Sequence, residues 1–536
     1  MIHELRTPLP ARGRALCAAV ATAFVLLSGS AQAGLELQPR AVEDLPKAEV
    51  PISDGAIQLS LDQAIDIALA RNLGLVVERY NWVRTDLGVL QSLGIYDPAL
   101  SGGISYTDST QPSAQRTEGV PELASKNGGF QLRLEQLVPY GGRASVELQG
   151  GRNETNSQNS LLNPVYQGGQ TLRFTQPLLR GFGKLPTEQG IVRARFSEGR
   201  ARQSFLLQLM TVIQNVERGY WDLVEARNQL EVAKEALRLA QVLHDQNKIR
   251  VEVGTVAPLE LTQSKAGIAT REEGIIRAEA TIGDAEDQLR QLLNLEAGEL
   301  WSLPIVPSTS PDGDRVEVKL EEALGLAVGN RPEMASQRIA LETLKLEAQL
   351  AQDRTRPELN VGVTYALSGL SGSGQLPLTI DGDFSDVGQQ ITELDFPSWT
   401  VSLGFAYSLL NREAKALKAI ADFEVEKGNA ELSQLEQQIV TEVRSAVRRV
   451  QTTAKQIDSA RVSRELQEQN LDAERKRYEN GMSSSFQVLQ IQEDLTQARS
   501  SEVQAITAYR RALADLEKAT GRGLAARGLA LDSPGN

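Results

Sequence analysis

The side chains that enzymes use most often for acid–base, thiol or metal chemistry are nearly absent from this 536-residue chain. It contains two histidines, His3 and His244, and one cysteine, Cys17. Histidine–cysteine zinc sites need several such ligands, and serine or cysteine nucleophiles need a nearby base. The motifs G-x-x-x-x-G-K-[ST], G-x-S-x-G and H-E-x-x-H are also missing. The sequence therefore predicts a protein that is not an enzyme and that needs no cofactor and no metal.

The net charge bears on the partners of the protein, and an N-terminal apolar run bears on its export. The chain has 56 Lys and Arg against 69 Asp and Glu, a net charge of −13, and this acidic balance argues against a nucleic-acid partner. A basic start, an apolar run at 15–27 and the small residues Ala31-Gln32-Ala33 predict a signal peptide over residues 1–33. No later stretch approaches the roughly 20 apolar residues of a membrane-spanning helix. We therefore predict an exported protein.

The sequence contains an internal repeat of two long segments. Residues 59–106 align without a gap on 318–365 and share nine identities, among them Pro98 with Pro357. A second correspondence pairs 186–294 with 413–521. Because the matches keep both order and register, they predict an internal tandem duplication.

Each half is predicted to run helix, strands, long helix, break, helix. The long helices, 187–252 and 411–479, would each extend about 100 Å at 1.5 Å per residue. A lone helix of that length needs neighbours over its apolar stripe. The predicted neighbours are the shorter helices 60–95, 256–297, 320–354 and 484–519.

Six segments alternate apolar and polar residues with the period of a strand. Each is about 8–11 residues long, enough to cross a bilayer as a tilted strand. They centre on 100–106, 130–134, 144–148, 172–174, 361–365 and 399–407. Between them, 108–128, 152–168 and 368–397 are predicted to be surface turns. A soluble β-sandwich would alternate in the same way, but the polar faces favour a water-filled barrel.

Aromatic residues are predicted to mark the two edges of a membrane. Tyr96, Tyr140 and Phe182 fall at one end of the strands, and Phe396 and Trp399 fall at the other. Such girdles form where amphipathic rings meet lipid headgroups. Since six strands cannot close a roomy channel, several copies are expected to share one barrel.

The sequence resembles the TolC-like outer-membrane efflux protein family. The resemblance covers roughly residues 57–525. It is carried by Leu61-Asp62-Gln63-Ala64, Leu320-Glu321-Glu322-Ala323, Pro98, Pro357, Gln176-Pro177-Leu178-Leu179, Arg250-x-x-x-Gly254 and Arg477-x-x-x-Gly481.

The resemblance implies a mainly α protein with membrane β-strands. It implies a homotrimer with a shared β-barrel in the outer-membrane lipid of a Gram-negative bacterium. It further implies that long antiparallel coiled-coil helices form a large periplasmic α-barrel. The expected function is the passive exit duct of a tripartite efflux pump, with a periplasmic adaptor protein and an inner-membrane pump as partners. The alternatives are a type I protein secretion channel, or a structural or adhesive coiled-coil protein with a β-anchor.

The expected domain boundaries follow the repeats. They are a signal peptide at 1–33, a periplasmic linker at 34–58, a first repeat at 59–300, a linker at 301–317, a second repeat at 318–521 and a tail at 522–536.

The sequence departs from the family pattern in its strand count. The family typically has four strands per chain, whereas six candidates are present here. If all six cross the membrane, a trimer has eighteen strands rather than twelve. The alternative is that the hairpin turning at Val138-Pro139-Tyr140-Gly141-Gly142 lies above the barrel or in its mouth.

The second departure concerns the pore constriction. Family members carry carboxylates six and nine residues after the second tip glycine, where this chain has Gln487 and Gln490. The first tip has Glu260 in the sixth position. Glutamines would keep a polar constriction with a weaker field than carboxylates. Ordinary helix-surface positions are the alternative interpretation.

The helical tips are the predicted docking surface. Gly254 and Gly481 each separate two helices, where a positive φ is expected. Thr255, Met482 and Ser483 are small or adaptable residues suited to contact with an adaptor's helical hairpin. An ordinary tight turn between helices has the same composition.

Overall fold

The computed structural model describes residues 49–53, 55–112, 119–311, 315–374 and 380–523. The predicted signal peptide, most of the 34–58 linker and nearly all of the 522–536 tail lie outside these residues.

The long helices and the six long strands follow one another in the order that the sequence predicts. The strands are β1 (Ile52–Ser53), β2 (Ala56–Leu59), β3 (Ala99–Pro112), β4 (Glu122–Leu137), β5 (Arg143–Thr155), β6 (Val165–Pro177), β7 (Ile305–Pro307), β8 (Glu358–Gly374), β9 (Ile380–Asp381) and β10 (Pro397–Ala406). The helices are α1 (Leu61–Arg71), α2 (Leu73–Leu93), α3 (Lys184–Glu252), α4 (Pro258–Leu293), α5 (Glu299–Ser302), α6 (Leu320–Asn330), α7 (Pro332–Arg354), α8 (Phe384–Glu393), α9 (Arg412–Glu479) and α10 (Ser485–Thr520).

Two predicted helices are each divided in two. The single helix predicted over 60–95 is broken at Asn72, and the one predicted over 320–354 is broken at Arg331. Asn72 leaves helical geometry and its side-chain oxygen accepts the Gly74 N–H at 2.9 Å. Arg331 precedes Pro332, whose ring disfavours helical geometry in the residue before it. The break thus falls at corresponding places in the two aligned segments.

The described residues form two compact units. The strand unit consists of Asp86–Phe196 and Glu342–Lys427, and the helix unit consists of 49–85, Ser197–Leu341 and 428–523.

The strand unit is built on one antiparallel sheet with strand order β10-β8-β6-β5-β4-β3, and β9 pairs with the end of β8. Each of the long pairings keeps one register along its whole length. Because directly paired residues point to the same side, the register defines two faces. One row across the sheet is Leu100, Leu134, Val146, Leu172, Tyr365 and Trp399. The adjacent row is Ser101, Arg133, Glu147, Thr171, Ala366 and Ser398. We call these sides the apolar face and the polar face.

The segment 368–397 differs from its prediction as a surface turn. Strand β8 continues to Gly374, and α8 occupies Phe384–Glu393. Asp383 caps this helix by accepting the Ser385 N–H at 2.7 Å, which satisfies a backbone donor of the first turn. The Ser/Gly-rich composition of the segment does not indicate this ten-residue helix.

The helix unit holds its cores between long and short helices. Tyr220 of α3 is fully buried, and its hydroxyl donates to the Leu59 carbonyl at 3.1 Å and accepts the Thr309 N–H at 2.9 Å. A second core joins α6, α9 and α10 around Ala327, Val443 and Tyr509. Within the described residues, no helix is both long enough and apolar enough to span a membrane.

Candidate functional site

The two helical tips have the same backbone geometry. Gly254 lies between α3 and α4 with φ +75°, and Gly481 lies between α9 and α10 with φ +73°. The next residue closes each turn, since the Thr255 N–H donates to the Arg250 carbonyl and the Met482 N–H donates to the Arg477 carbonyl, both at 2.9 Å. A left-handed residue after a helix ends it in this way, and glycine takes that conformation without strain.

A side chain of the first tip caps the C-terminal end of α9, the helix that precedes the second tip. Two guanidinium nitrogens of Arg250 donate to the carbonyls of Tyr478 and Glu479, at 2.9 and 3.0 Å. These carbonyls belong to the last turn of α9, where a cation also interacts favourably with the helix dipole. The guanidinium carbon lies 4.5 Å from the centroid of the Tyr478 ring. We call the contacts of Arg250 with Tyr478 and Glu479 the arginine link.

Tyr478 is anchored in the same place by its hydroxyl. The hydroxyl donates to the side-chain oxygen of Asn247, and both residues are buried. Burial raises the pKa of Tyr478, and the positive charge of Arg250 only partly opposes that rise. The phenol therefore keeps its proton and remains a hydrogen-bond donor.

A second link joins the start of α4 to the start of α10. The Glu260 carboxylate accepts the Ser485 N–H at 3.2 Å and also the Ser485 hydroxyl. Ser485 is the first residue of α10 and is fully buried. A carboxylate at a helix N-terminus satisfies free backbone donors and complements the helix dipole. Glu260, a predicted constriction residue, thus has its carboxylate engaged within the same chain; we call this contact the glutamate link.

The two predicted constriction glutamines lie on the exposed side of α10. Gln487 is exposed, and its backbone N–H donates to the Ser484 hydroxyl at 3.4 Å. Gln490 is also exposed and donates from its amide to Asp494 at 3.4 Å. The structure therefore places their amides apart from the glutamate link and facing outwards from the chain.

The predicted docking residues differ in their surroundings. Thr255 and Met482 are exposed, whereas the Ser483 hydroxyl donates to the buried carboxylate of Glu474. Four large apolar side chains at the tips are each more than three-fifths exposed: Val253, Leu259, Met482 and Phe486. We call these four residues the apolar tip.

Sequence reasoning did not identify Asn247, Tyr478 and Ser485 as the residues that complete the two links. The Arg250-x-x-x-Gly254 spacing was a signal for Arg250 itself, because the arginine lies one turn before the glycine. Its partners lie 228 and 229 residues further along the chain, which no local pattern reveals.

The apolar face of the strand unit carries large side chains that are exposed. Ile104 is 92% exposed and Trp399 is 75% exposed, and both lie on this face. Exposed apolar surface on this scale marks contact with lipid or with another protein.

The predicted aromatic girdle is only partly assembled by the structure. The rings of Tyr140 and Phe182 are stacked with centroids 6.0 Å apart. The Tyr96 hydroxyl donates to Glu188 of α3 at 2.9 Å. Phe396 and Trp399, predicted to share one edge, lie on opposite faces, because Phe396 lines a groove on the polar face. Their three-residue separation explains this, since side chains alternate along an extended chain.

The polar face carries charges near the strand ends that adjoin the helices. Glu135 accepts from Arg133 at 2.7 Å and from Arg143 at 3.2 Å. Gln131 donates to Glu147 at 2.9 Å on the same face. No group of His, Cys, Asp or Glu side chains in the described part of the chain is arranged to hold a metal ion.

Comparison with known proteins places this architecture among bacterial export channels. The family model described as outer membrane efflux protein matches residues 143–295 and 323–522, more than half of the chain. The pyoverdine export outer membrane protein OpmQ of Pseudomonas putida is 23% identical over 323 residues, 59% of this chain and 62% of that protein. This match spans less than two thirds of the relative's length. The outer membrane protein TolC of Salmonella enteritidis is 22% identical over 397 residues, 73% of this chain and 77% of that protein.

Solved structures show the same fold. The CmeC outer membrane channel of Campylobacter jejuni superposes with a TM-score of 0.62 at 15% identity, covering 86% of both chains. The outer membrane protein VceC of Vibrio cholerae gives 0.60 at 15% identity, covering 86% of this chain and 96% of that one.

Proposed function

Because this chain belongs to the outer membrane efflux protein family, we propose that three copies form a tunnel that serves as the exit duct of a tripartite efflux pump. The family consists of outer-membrane channels, so the chain is an outer-membrane protein and not an enzyme. The trimer and its closed barrel are proposed here, as are an inner-membrane pump that drives export and a periplasmic adaptor.

The observation that carries the proposal is a sheet with one lipid-compatible face and two open edges. In the described part of the chain, β3 and β10 each pair on one side only. They run in opposite directions, so β10 of one copy can pair antiparallel with β3 of the next. Lipid contains no water to satisfy free backbone groups, and this favours closure over an open edge. Three copies of the six long strands would give an eighteen-stranded barrel with the polar face lining the lumen.

The helices supply the proposed periplasmic part. Helix α3 has 69 residues and α9 has 68, so each is about 100 Å long at 1.5 Å per residue. Such helices could cross much of a periplasm and form an α-barrel with the shorter helices beside them. The outer-membrane lipid is then in contact with the strand unit, and the large periplasmic portion is the helix unit.

The tips supply a mechanism for opening. The arginine link and the glutamate link each hold the first hairpin (α3 with α4) to the second (α9 with α10). We propose that both links keep the resting tip narrow. An adaptor that packs on the apolar tip, with Gly254, Thr255, Gly481, Met482 and Ser483 at the contact, would compete with them and let the hairpins separate.

The constriction residues take different roles in this mechanism. Gln487 and Gln490 are proposed to face the lumen as a polar ring of weak field. Glu260 is proposed to act mainly through the glutamate link. The sequence contains no phosphate-binding motif of the G-x-x-x-x-G-K-[ST] type, so the energy for export is assigned to the inner-membrane pump.

The purified protein in lipid vesicles tests the proposal. We expect a particle with three chains and a hollow ring in images viewed along its axis, and low ion conductance at rest. A solid particle, or a protein that stays silent after both links are removed, would contradict the channel and favour a structural role. Transport of a polypeptide rather than small molecules would indicate a secretion duct.

A further inference from the structure

Helix α8 is seated on the apolar face over a row of glycines. Gly150, Gly168 and Gly369 are directly paired across β5, β6 and β8. A Cβ atom at Gly168 would lie 2.8 Å from Cγ1 of Val387, and one at Gly150 would lie 2.5 Å from Cζ of Phe384. Real side chains do not approach so closely, so the glycines create the space that the helix occupies.

The helix is also fastened to the sheet by hydrogen bonds. The Gln390 side chain accepts the Leu370 N–H at 2.9 Å and donates to the Leu370 carbonyl at 3.0 Å. The amide thus replaces a neighbouring strand at this point of β8. The Asp386 carboxylate accepts the Ser371 hydroxyl at 3.0 Å. These bonds fix the helix in one place on the apolar face.

The outward side of α8 is polar. Val387 is buried against the sheet, whereas Ser385, Gln389 and Glu393 are exposed. Carboxylate and amide groups are strongly disfavoured in hydrocarbon. The outward side is therefore incompatible with the interior of a bilayer, although the sheet beneath it continues into an apolar surface.

The level of α8 coincides with the end of the apolar surface. On β8, the apolar face carries alternate apolar residues from Leu359 to Leu367, and the next position is Gly369. That run extends about 27 Å along the strand, or about 20 Å once tilted, close to the ~25 Å apolar band of outer-membrane barrels. Beyond the glycine row, the same face carries Arg152 paired with Glu154 at 2.9 Å.

Aromatic rings gather at this boundary. The Phe384 ring lies 6.0 Å from the Phe130 ring and 6.1 Å from the Tyr166 ring, measured between centroids. Both partners lie on the apolar face. Aromatic residues are enriched where hydrocarbon meets headgroups.

We propose that α8 is an interfacial helix that lies among the outer-leaflet headgroups on the outside of the barrel and sets how deeply the barrel sits in the membrane. Its polar side contacts lipid headgroups. The apolar surface of the sheet ends where α8 packs on the glycine row. The cell-surface side is assigned because α8 connects β8 and β10 at the ends remote from α7 and α9. The inference rests on the proposed membrane location of the strand unit.

Spin labels at single cysteines test the depth of α8 in vesicles. The chain's one cysteine, Cys17, lies in the predicted signal peptide, so each new cysteine is the only label site of the processed protein. Q389C reports α8, L403C reports the apolar face, S402C reports the polar face and N159C reports an exposed loop. Accessibility to oxygen and to a water-soluble nickel reagent gives the depth of each label.

We expect Q389C to lie at headgroup depth, between L403C in hydrocarbon and N159C in water. A Q389C label as deep as L403C, or as exposed to nickel as N159C, would overturn the proposal. If L403C is itself as water-accessible as S402C, the membrane location fails instead, and the two failures are therefore distinguishable.

Removal of the seat provides an independent test. G168V should push α8 off the sheet and raise nickel accessibility at Q389C towards the N159C value. The matched control G388A changes an exposed glycine of α8 and should leave that accessibility unchanged. An unchanged Q389C depth in a folded, trimeric G168V protein would show that the glycine row does not hold the helix.

Discussion

Arg250 and Tyr478 lie 228 residues apart in sequence, yet the guanidinium of Arg250 donates to the Tyr478 carbonyl at 2.9 Å and covers its ring at 4.5 Å. One residue of the first tip thereby closes the last turn of α9, which leads to the second tip. If the tips open as proposed, this contact must break or move together with both residues.

Loss of Arg250 should open the resting tip. R250A removes two hydrogen bonds from a charged donor and a cation–π contact, worth about 2 kcal/mol together, or roughly 30-fold in the closed-to-open ratio. Single-channel conductance in planar bilayers should show a larger open fraction than wild type. The control R238A removes an exposed arginine of α3 that pairs with Glu235 at 2.7 Å and should leave the open fraction unchanged. An equal rise in both variants would refute the arginine link.

The glutamate link should act through charge and hydrogen bonding together. E260Q keeps the shape of the side chain but weakens the cap on α10, by about 1 kcal/mol. The open fraction should rise less than in R250A. A double-mutant cycle with S485A should give a coupling energy well above zero, because the two residues contact each other directly. Additive effects would mean that Glu260 acts elsewhere.

The glutamines of α10 should control ion selectivity if they face the lumen. Q487D introduces three carboxylates into a proposed trimeric ring, and their summed field should favour cations. The reversal potential in a salt gradient should shift towards the cation equilibrium value. Q497D, at an exposed position further along α10, serves as the matched control. An unchanged reversal potential for Q487D would place Gln487 outside the constriction.

Contact with an adaptor should be confined to the tips. Photoreactive residues in place of Thr255 and Met482 should crosslink in cells to a periplasmic protein with a helical hairpin. The same residue in place of Glu436, an exposed position of α9 far from the tips in sequence, provides the comparison. Crosslinks at all three sites with equal yield, or only to copies of the chain itself, would contradict docking at the apolar tip.

The conformation of the tip glycines should be visible in stability. G481A forces a side chain into left-handed geometry at φ +73° and should destabilise the protein by about 1 kcal/mol. G274A lies in the interior of α4, where a Cβ meets open space among the described residues. There alanine should stabilise by about 0.5–1 kcal/mol. Thermal unfolding should therefore move in opposite directions for the two variants.

Much of the fold is readable from the sequence because its signals are periodic. The alternation around 130–134 and 144–148 predicts strands that the structure extends to Glu122–Leu137 and Arg143–Thr155. The long proline-free segments likewise predict α3 and α9 to within a few residues. Periodicity is a local property, and these elements follow it closely.

The rest depends on contacts that local patterns do not contain. Helix α8 forms in a Ser/Gly-rich segment because Gly168, on β6, leaves room for Val387. Glu260 appears in sequence as a free carboxylate, whereas its partner Ser485 lies 225 residues away. In both cases the tertiary neighbour, rather than the segment itself, decides the outcome.

The open margins of the sheet bear on how the protein is made. A solitary copy would carry the bare backbone of β3 and β10 into lipid or expose it to any stray strand in the periplasm. If the proposed trimeric barrel forms, biogenesis has to bring the copies together before or during insertion. Cells that make too little of the chain should lose it to proteolysis rather than accumulate half-built pores.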